Sequence, residues 1–403
     1  MSGIVGSDPS GPSSSRIRDQ VFTQLGNITF STAQGVIGIV VPLLAVHAGH
    51  PIGVVGIIVA ISAVSQTVAR VGMGALMSRF PTKYFIVVAT ILSVISCTVL
   101  WFSAALWAFV VQQLLQGVAR AYFWTGAQTH VVRGSDSAVA ALSRFNVVQG
   151  VGQLIGPVLA GVVGGWSLPG GMLIAAGLSG FALLPALALA RFEPFAAKPR
   201  AKDGDGDGRW TSSPGVRTAA SMTAVAGAWR GVLNSYLPVI LTAAGHSIPV
   251  VGVLVTLTNL ASLGGTAVAG RVQAKGPRVA NMIGTASAGL GMAVAVLFPG
   301  PIMLVGVALA VAGAGAGVLQ TIGLALAADS VGPDDRGRVI AVMGAFRSTC
   351  LLVSPLGTAG LVMLLPSASI AAGITSLVIS TPAFVSLFSR KGRQGGAAEK
   401  PMS

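Results

Sequence analysis

Apolar residues occur along the chain in twelve long stretches of about 20 residues or more, separated by short polar turns. A stretch of this length crosses a bilayer as an α-helix, because a helix satisfies its own backbone hydrogen bonds in lipid. The stretches do not alternate polar and apolar residues, which is the pattern of barrel strands. The predicted spans are 20–46, 53–77, 84–104, 106–131, 139–165, 171–190, 217–243, 249–270, 278–298, 301–328, 339–365 and 369–388.

The spans form two groups of six on either side of a polar segment. We therefore predict an all-α membrane protein with 12 transmembrane helices, arranged as two pseudo-symmetric six-helix bundles. The predicted units are an N-terminal tail (1–19), a first bundle (20–190), a linker (191–216), a second bundle (217–388) and a C-terminal tail (389–403).

Composition supports a membrane protein. Hydrophobic residues make up 53% of the chain and charged residues only 9%, whereas soluble proteins carry roughly 25% charged residues. The net charge of +14 would suggest nucleic-acid binding in a soluble protein. Here most basic residues lie at span ends, so the charge instead indicates membrane topology.

The basic residues predict the orientation. If the N-terminus is cytoplasmic, the outer turns at 47–52, 105, 166–170, 244–248, 299–300 and 366–368 contain no Lys or Arg. This positive-inside bias predicts a multi-pass protein of the cell membrane with both termini in the cytoplasm.

The two halves repeat one another in sequence. Residues 42–50 read PLLAVHAGH and residues 238–246 read PVILTAAGH, at an offset of 196. Gly156-Pro157 matches Ser354-Pro355 at a similar offset. A duplicated bundle indicates a transporter whose substrate path lies between the halves.

The segment after the second span carries a recognisable pattern, GALMSRFPTK at 74–83, with a second copy at 265–276. With the six-plus-six repeat, it resembles the major facilitator superfamily over about residues 20–390. The resemblance implies alternating access, with conformational roles for Arg79, Lys83, Arg271 and Lys275. The acidic residue of the family pattern is absent in both copies, replaced by Ser78 and Gly270. Topology anchoring is the alternative role for the basic residues.

The fifth span contains Gly152, Gly156, Pro157 and Gly161 in a pattern that resembles the glycine-proline signature of the family's exporters. Such glycines let helices approach closely, and the proline frees a backbone carbonyl. The resemblance implies export, and ordinary close packing is the alternative. The fourth span departs from the exporter pattern, since residues 113–117 read QLLQG without the usual arginine.

Charged residues inside spans are costly, and they are therefore candidates for function. Five arginines lie inside spans, and Arg70 and Arg144 are close enough to span ends to snorkel. The predicted substrate-binding set comprises the three deeper arginines and nearby amides: Asn27, Gln34, Arg120, Gln149, Arg230, Asn234 and Arg347. Positive charge is concentrated in the second half, where Arg230 and Arg347 replace Gln34 and Gln149 of the first.

No Asp or Glu lies centrally in a span. Two hypotheses follow: either the substrate carries an acidic group that the arginines bind, or it is neutral and the arginines are structural. The expected function is efflux of a drug-like compound or metabolite, with antiport as the expected mode. Uptake or uniport of an organic anion or sugar-like solute is the alternative, and a non-transporting sensor is a second one.

We expect no enzyme activity, metal or cofactor, because no nucleophile or ligand cluster is present in the sequence. Proton coupling stays open, since histidine also carries protons. The expected partners are a small-molecule substrate and membrane lipid, without nucleic acid, and the expected state is a monomer.

Overall fold

The computed structural model describes residues 14–133, 138–194, 213–331 and 336–395. These residues form twelve α-helices, which confirms the predicted all-α membrane class. The helices are α1 (Ser14–His47), α2 (Ile52–Met77), α3 (Thr82–Phe102), α4 (Leu106–Arg133), α5 (Ala138–Gly164), α6 (Leu168–Ala188), α7 (Pro214–Ala243), α8 (Ile248–Gln273), α9 (Pro277–Leu297), α10 (Ile302–Asp329), α11 (Arg336–Leu364) and α12 (Ala368–Gly395). Most of the predicted linker, from 195 to 212, lies outside the described residues.

The helices pack in the same order in both halves. In the first half, α1 packs on α5 and α4 packs on α2 and α3; in the second, α7 packs on α11 and α10 on α8 and α9. The halves meet mainly through α5 with α8 and α2 with α11. Because consecutive helices run in opposite directions, the start of α1 and the end of α12 lie on the same face of the bundle. We call it the terminal face, and the opposite one the distal face.

The repeated Ala-Gly-His sequence forms the same structure at the distal ends of α1 and α7. Gly49 and Gly245 adopt positive φ angles of 84° and 93°, which end each helix in a left-handed turn. The histidines that follow bond to neighbouring turns: His50 Nε2 lies 2.9 Å from the Ala104 carbonyl oxygen, and His246 Nε2 lies 2.6 Å from that of Pro299. The sequence repeat thus reflects a repeated structural contact.

The halves touch along two lines of contact, α5 with α8 and α2 with α11, which we call the seams. The two seams are related by the repeat. On the α5–α8 seam, the Pro157 carbonyl leaves no space for a side chain at Gly252. On the α2–α11 seam, the Pro355 carbonyl does the same at Gly56. These contacts lie between the distal face and mid-depth, where the halves are closed against each other.

Three glycines toward the terminal face border open space. Gly72 of α2, Gly264 of α8 and Gly344 of α11 have no neighbouring atom within 4 Å of the place where a Cβ would stand. The closest backbone contacts between the halves therefore lie between the distal face and mid-depth.

Among the described residues, nine helices are long and apolar enough to cross a membrane, consistent with a multi-pass membrane protein. The described apolar part of α12, Ala368–Pro382, is shorter. The other two exceptions are α4 and α7, which contain Arg120 and Arg230 near their centres. Their low hydropathy therefore marks the helices that bury polar groups inside the bundle.

A polar cluster at the terminal face ties the end of α6 to three other helices. Asp19 accepts hydrogen bonds from His130 Nε2 at 3.0 Å and from the Ala190 amide at 2.6 Å. His130 Nδ1 lies 2.9 Å from the Thr82 hydroxyl, and its side chain is fully buried. The cluster fixes the point where the chain leaves the first half.

We expect Asp19→Asn to destabilise the protein by about 2 kcal/mol, because an amide replaces a buried charged acceptor. The measurement is the melting temperature of the purified protein in detergent. Glu193→Gln is the matched control, since it removes a charge nearby on an exposed side chain. An equal fall in both variants would contradict a specific role for Asp19.

Candidate functional site

A network of polar side chains joins α1, α3 and α4 at mid-depth. The Gln34 Oε1 atom accepts hydrogen bonds from Arg120 Nε at 2.7 Å and from Gln116 Nε2 at 2.9 Å. Ser96 donates in turn to Gln116 Oε1 at 2.7 Å. The network holds the Arg120 side chain in place through one of its nitrogens, which leaves guanidinium donors for a ligand.

A small cavity of about 40 Å³ adjoins this network, between the two halves. Helices α1, α2 and α4 of the first half and α7 and α11 of the second line it. Its polar side chains are Ser62, Gln66, Gln113, Arg120 and Asn234. Asn234 and Arg120 therefore line one cavity, although the two residues belong to different halves.

Gln34 Nε2, a donor, and Gln113 Oε1, an acceptor, are buried without a hydrogen-bond partner among the described residues, as are both amide atoms of the adjacent Gln112. Unpartnered buried polar atoms are costly, and they are therefore typical of a site that awaits a ligand or water. Of these residues, Gln113 lines the cavity, so its Oε1 atom can accept a hydrogen bond from a ligand there.

The second half holds a separate group of cations. Arg230 donates from Nη1 to Asn259 Oδ1 at 2.8 Å, and its guanidinium lies 5.1 Å from the centre of the Trp229 ring. Arg347 makes a long contact of 3.4 Å with Gln320 Oε1, and it is close enough to Arg230 for electrostatic repulsion. Arg70 of α2 lies near the same group, 3.5 Å from Ser348.

Acidic side chains are absent from this region of the described chain. The described carboxylates are those of Asp19, Glu193 and Asp329, all near the terminal face. The arginines therefore bond to neutral amides and hydroxyls, which leave their charges uncompensated. An anionic group bound among them would relieve the repulsion.

The other predicted binding residues lie apart from this arrangement. Asn27 is fully buried, where its Nδ2 donates to the Phe145 carbonyl at 2.7 Å and its Oδ1 accepts from Ser31 at 3.2 Å. These bonds attach α1 to α5 and use both ends of the amide. Gln149 is half-buried on α5.

The predicted conformational glycines of α5 lie at two different contacts. A Cβ on Gly152 would stand 2.6 Å from that of Ser31, and one on Gly156 would stand 2.6 Å from the Gly35 Cα, so both glycines pack on α1. Gly161 packs instead on α8, 3.0 Å from the Pro249 Cα by the same construction.

The predicted basic residues of the loop pattern also differ among themselves. Lys83 donates to the Leu187 carbonyl at 2.6 Å and thereby caps the end of α6. Arg79, Arg271 and Lys275 are exposed at the terminal face.

Sequence reasoning left Gln113, Gln116 and Ser96 out of the binding set. The available signal was a pair of glutamines three residues apart within an apolar span, which places both on one side of a helix. That signal does not identify the partner helices, since Gln34 is far away in sequence.

The sequence model of the Major Facilitator Superfamily matches residues 24–355, and a second match covers 219–401. No curated protein matches the chain in sequence.

Solved structures share its fold at low identity. The nucleoside transporter NupG is 11% identical with a TM-score of 0.72, over 93% of this chain and 98% of that one. A bacterial homologue of the human lysosomal transporter Spinster, inward-facing and unoccupied, is 13% identical with a TM-score of 0.71, over 94% and 98% of the chains. A POT family transporter in complex with 5-aminolevulinic acid is 12% identical with a TM-score of 0.71, over 93% and 95%.

Proposed function

We propose that this chain, which belongs to the Major Facilitator Superfamily, exports a small organic molecule with an acidic group by alternating access. The observation that carries the proposal is the group of arginines inside the spans, near which no described residue carries a carboxylate. Burying such charges is costly in a membrane, and they are retained where they bind a substrate or line its path. Efflux of a drug-like compound or metabolite is the physiological role that fits these features best.

Two side chains that line the cavity suggest how the substrate binds. Arg120, which Gln34 holds in place, presents donors on the first half, where an acidic or carbonyl oxygen would bind. Gln113 Oε1 presents an acceptor for a hydroxyl or amine. Arg230 and Arg347 present the charges on the second half. A molecule that contacts both groups would be released only after the halves rearrange.

The absence of a mid-span carboxylate bears on the driving force. Proton-coupled exporters of cations use such a group, and this sequence has none. An anion needs no proton to leave an inside-negative cell, since the membrane potential supplies about 2.3 kcal/mol per charge at 100 mV. That energy can hold the external concentration of the anion roughly 50-fold above the internal one. It supports export driven by the membrane potential, with both termini of the protein in the cytoplasm. Proton antiport remains the competing mode.

Transport in proteoliposomes tests the proposal. The probes are radiolabelled aromatic and aliphatic carboxylates, with the neutral amides of the same skeletons as matched controls. We expect carboxylate flux that follows an imposed potassium-valinomycin potential at constant pH, and no flux of the amides. Flux of the amides alone would favour a neutral substrate, and flux that follows only a pH gradient would favour proton antiport. In cells, expression should lower carboxylate accumulation, and increased accumulation would favour uptake.

We expect Gln113→Leu to raise the substrate KM about tenfold while the melting temperature stays equal or rises. The substitution removes a ligand contact, but it also removes an unpartnered buried acceptor from the empty protein. Gln112→Leu is the matched control, because Gln112 is fully buried, has two unpartnered atoms and does not line the cavity. A tenfold change in KM in both variants would argue against a specific contact by Gln113.

A further inference from the structure

The fifth helix has a backbone carbonyl that its own helix cannot satisfy. Pro157 lies inside α5 and has no amide hydrogen, so the carbonyl of Gln153, four residues earlier, has no donor from within the helix. Asn259 of α8 replaces that donor, with its Nδ2 atom 3.1 Å from the Gln153 oxygen. The bond crosses the seam between the two halves.

The same asparagine bonds to a cation of the candidate site. Its Oδ1 atom accepts from Arg230 at 2.8 Å, so one carboxamide joins α7, α8 and α5. Arg230 orients this amide, because a guanidinium has only donors and therefore selects the oxygen end. The nitrogen end is then directed to Gln153. Asn259 is itself only 8% exposed, which limits competition from water.

We propose that Asn259 is a positioning residue that couples the substrate-binding state of Arg230 to closure of the α5–α8 seam. This inference rests on the proposed function, in which Arg230 binds an acidic substrate. A substrate that draws Arg230 away removes the group that orients Asn259, and the bond to Gln153 weakens. The substrate thereby favours separation of the halves on the distal side, where the seam is closed in this structure.

The neighbouring bond on the seam provides an internal contrast. Thr256, one turn before Asn259 on α8, donates to the Leu154 carbonyl of α5 at 3.0 Å. It closes the same seam without a bond to an arginine. The Asn259 bond therefore depends on Arg230, and the Thr256 bond does not.

A double-mutant cycle on the protein without substrate tests this dependence. Spin labels at Trp166→Cys and Phe298→Cys report the distance between exposed distal turns of opposite halves, in a background with Cys97→Ala and Cys350→Ala. The measured quantity is the ratio of long-distance to short-distance populations in double electron–electron resonance. We expect Arg230→Gln and Asn259→Ala each to raise this ratio about fivefold, as for loss of one hydrogen bond.

The variant with both Arg230→Gln and Asn259→Ala shows whether the two residues act as one unit. If Asn259 and Arg230 act as one unit, the double variant raises the ratio about fivefold in total, the same as either single variant. Independent effects would multiply to about 25-fold. Arg230→Gln with Thr256→Val should show the multiplied value. Asn259→Asp should match Asn259→Ala, because a carboxylate accepts from Arg230 but cannot donate to Gln153. If Asn259→Ala does not yield folded protein, Asn259→Ser takes its place.

A multiplied effect of Arg230→Gln and Asn259→Ala would overturn the inference, as would unchanged populations in either single variant. The cycle needs no substrate, so its outcome is separable from that of the transport assay. Carboxylate flux without coupling in the cycle would support the proposed function and reject the role of Asn259. Coupling without carboxylate flux would support the role of Asn259 at the seam and reject the proposed substrate.

Discussion

We expect Arg230→Gln to lower kcat/KM for an acidic substrate at least ~30-fold, because a buried cation that pairs with a ligand is worth upward of about 2 kcal/mol. The same substitution should leave the melting temperature of the empty protein nearly unchanged, because relief of the repulsion by Arg347 offsets the lost hydrogen bond to Asn259. Where the structure describes the chain, no carboxylate lies near Arg230 and Arg347, so removing one of the two charges relieves their repulsion. Radiolabelled flux in proteoliposomes and a thermal melt measure the two effects.

These two effects together separate binding from structural support. If Arg230 only stabilised the fold, its loss would lower the melting temperature along with the flux. Arg278→Gln is the control, because Arg278 is an exposed basic residue at the terminal face. Arg230→Lys should recover only part of the flux, since lysine keeps the charge but not the planar group of donors. Unchanged flux with Arg230→Gln would reject an arginine-bound anion.

The second large effect is expected from Gly156→Ala, which should destabilise the protein by about 3 kcal/mol or more. The added methyl group would stand 2.6 Å from the Gly35 Cα and 3.0 Å from the Gly35 carbonyl carbon. Both are backbone atoms of α1, and they cannot move aside as a side chain does. We therefore expect a lower melting temperature and a smaller monodisperse fraction on size exclusion.

Gly177→Ala is the matched control for this substitution. Gly177 lies within α6, and no atom lies within 4 Å of the place of its Cβ. Alanine has the higher helix propensity, so this variant should be as stable as the parent or slightly more so. Equal stability of the two variants would contradict the close contact between α1 and α5.

The spans and the repeat could be predicted from sequence because both depend on local properties. Twenty apolar residues specify a membrane helix without knowledge of its neighbours, and the segments 42–50 and 238–246 are alike in sequence because they form alike turns. The glycine pattern of α5 also predicted close packing, because a glycine in an apolar helix has few other uses.

The partners of interior polar groups could not be predicted in the same way. Asn27 and Gln34 lie on one helix and looked equivalent, yet Asn27 bonds to the α5 backbone and Gln34 to Arg120. Lys83 and Arg79 occupy one loop pattern, but only Lys83 reaches the end of α6. Each difference depends on the rotation of a helix against its neighbours, which a single sequence does not encode locally.

Helices α4 and α7, which carry Arg120 and Arg230 near their centres, have different requirements during synthesis. An arginine at the centre of a membrane helix costs about 2.5–3.5 kcal/mol on insertion. When α4 leaves the ribosome, α1 is already complete and Gln34 is available to Arg120. When α7 emerges, Asn259 of α8 has not yet left the ribosome, and α7 also follows the polar segment between the halves. We therefore expect stable insertion of the second half to begin with a pair of helices, α7 and α8, that enter the bilayer together.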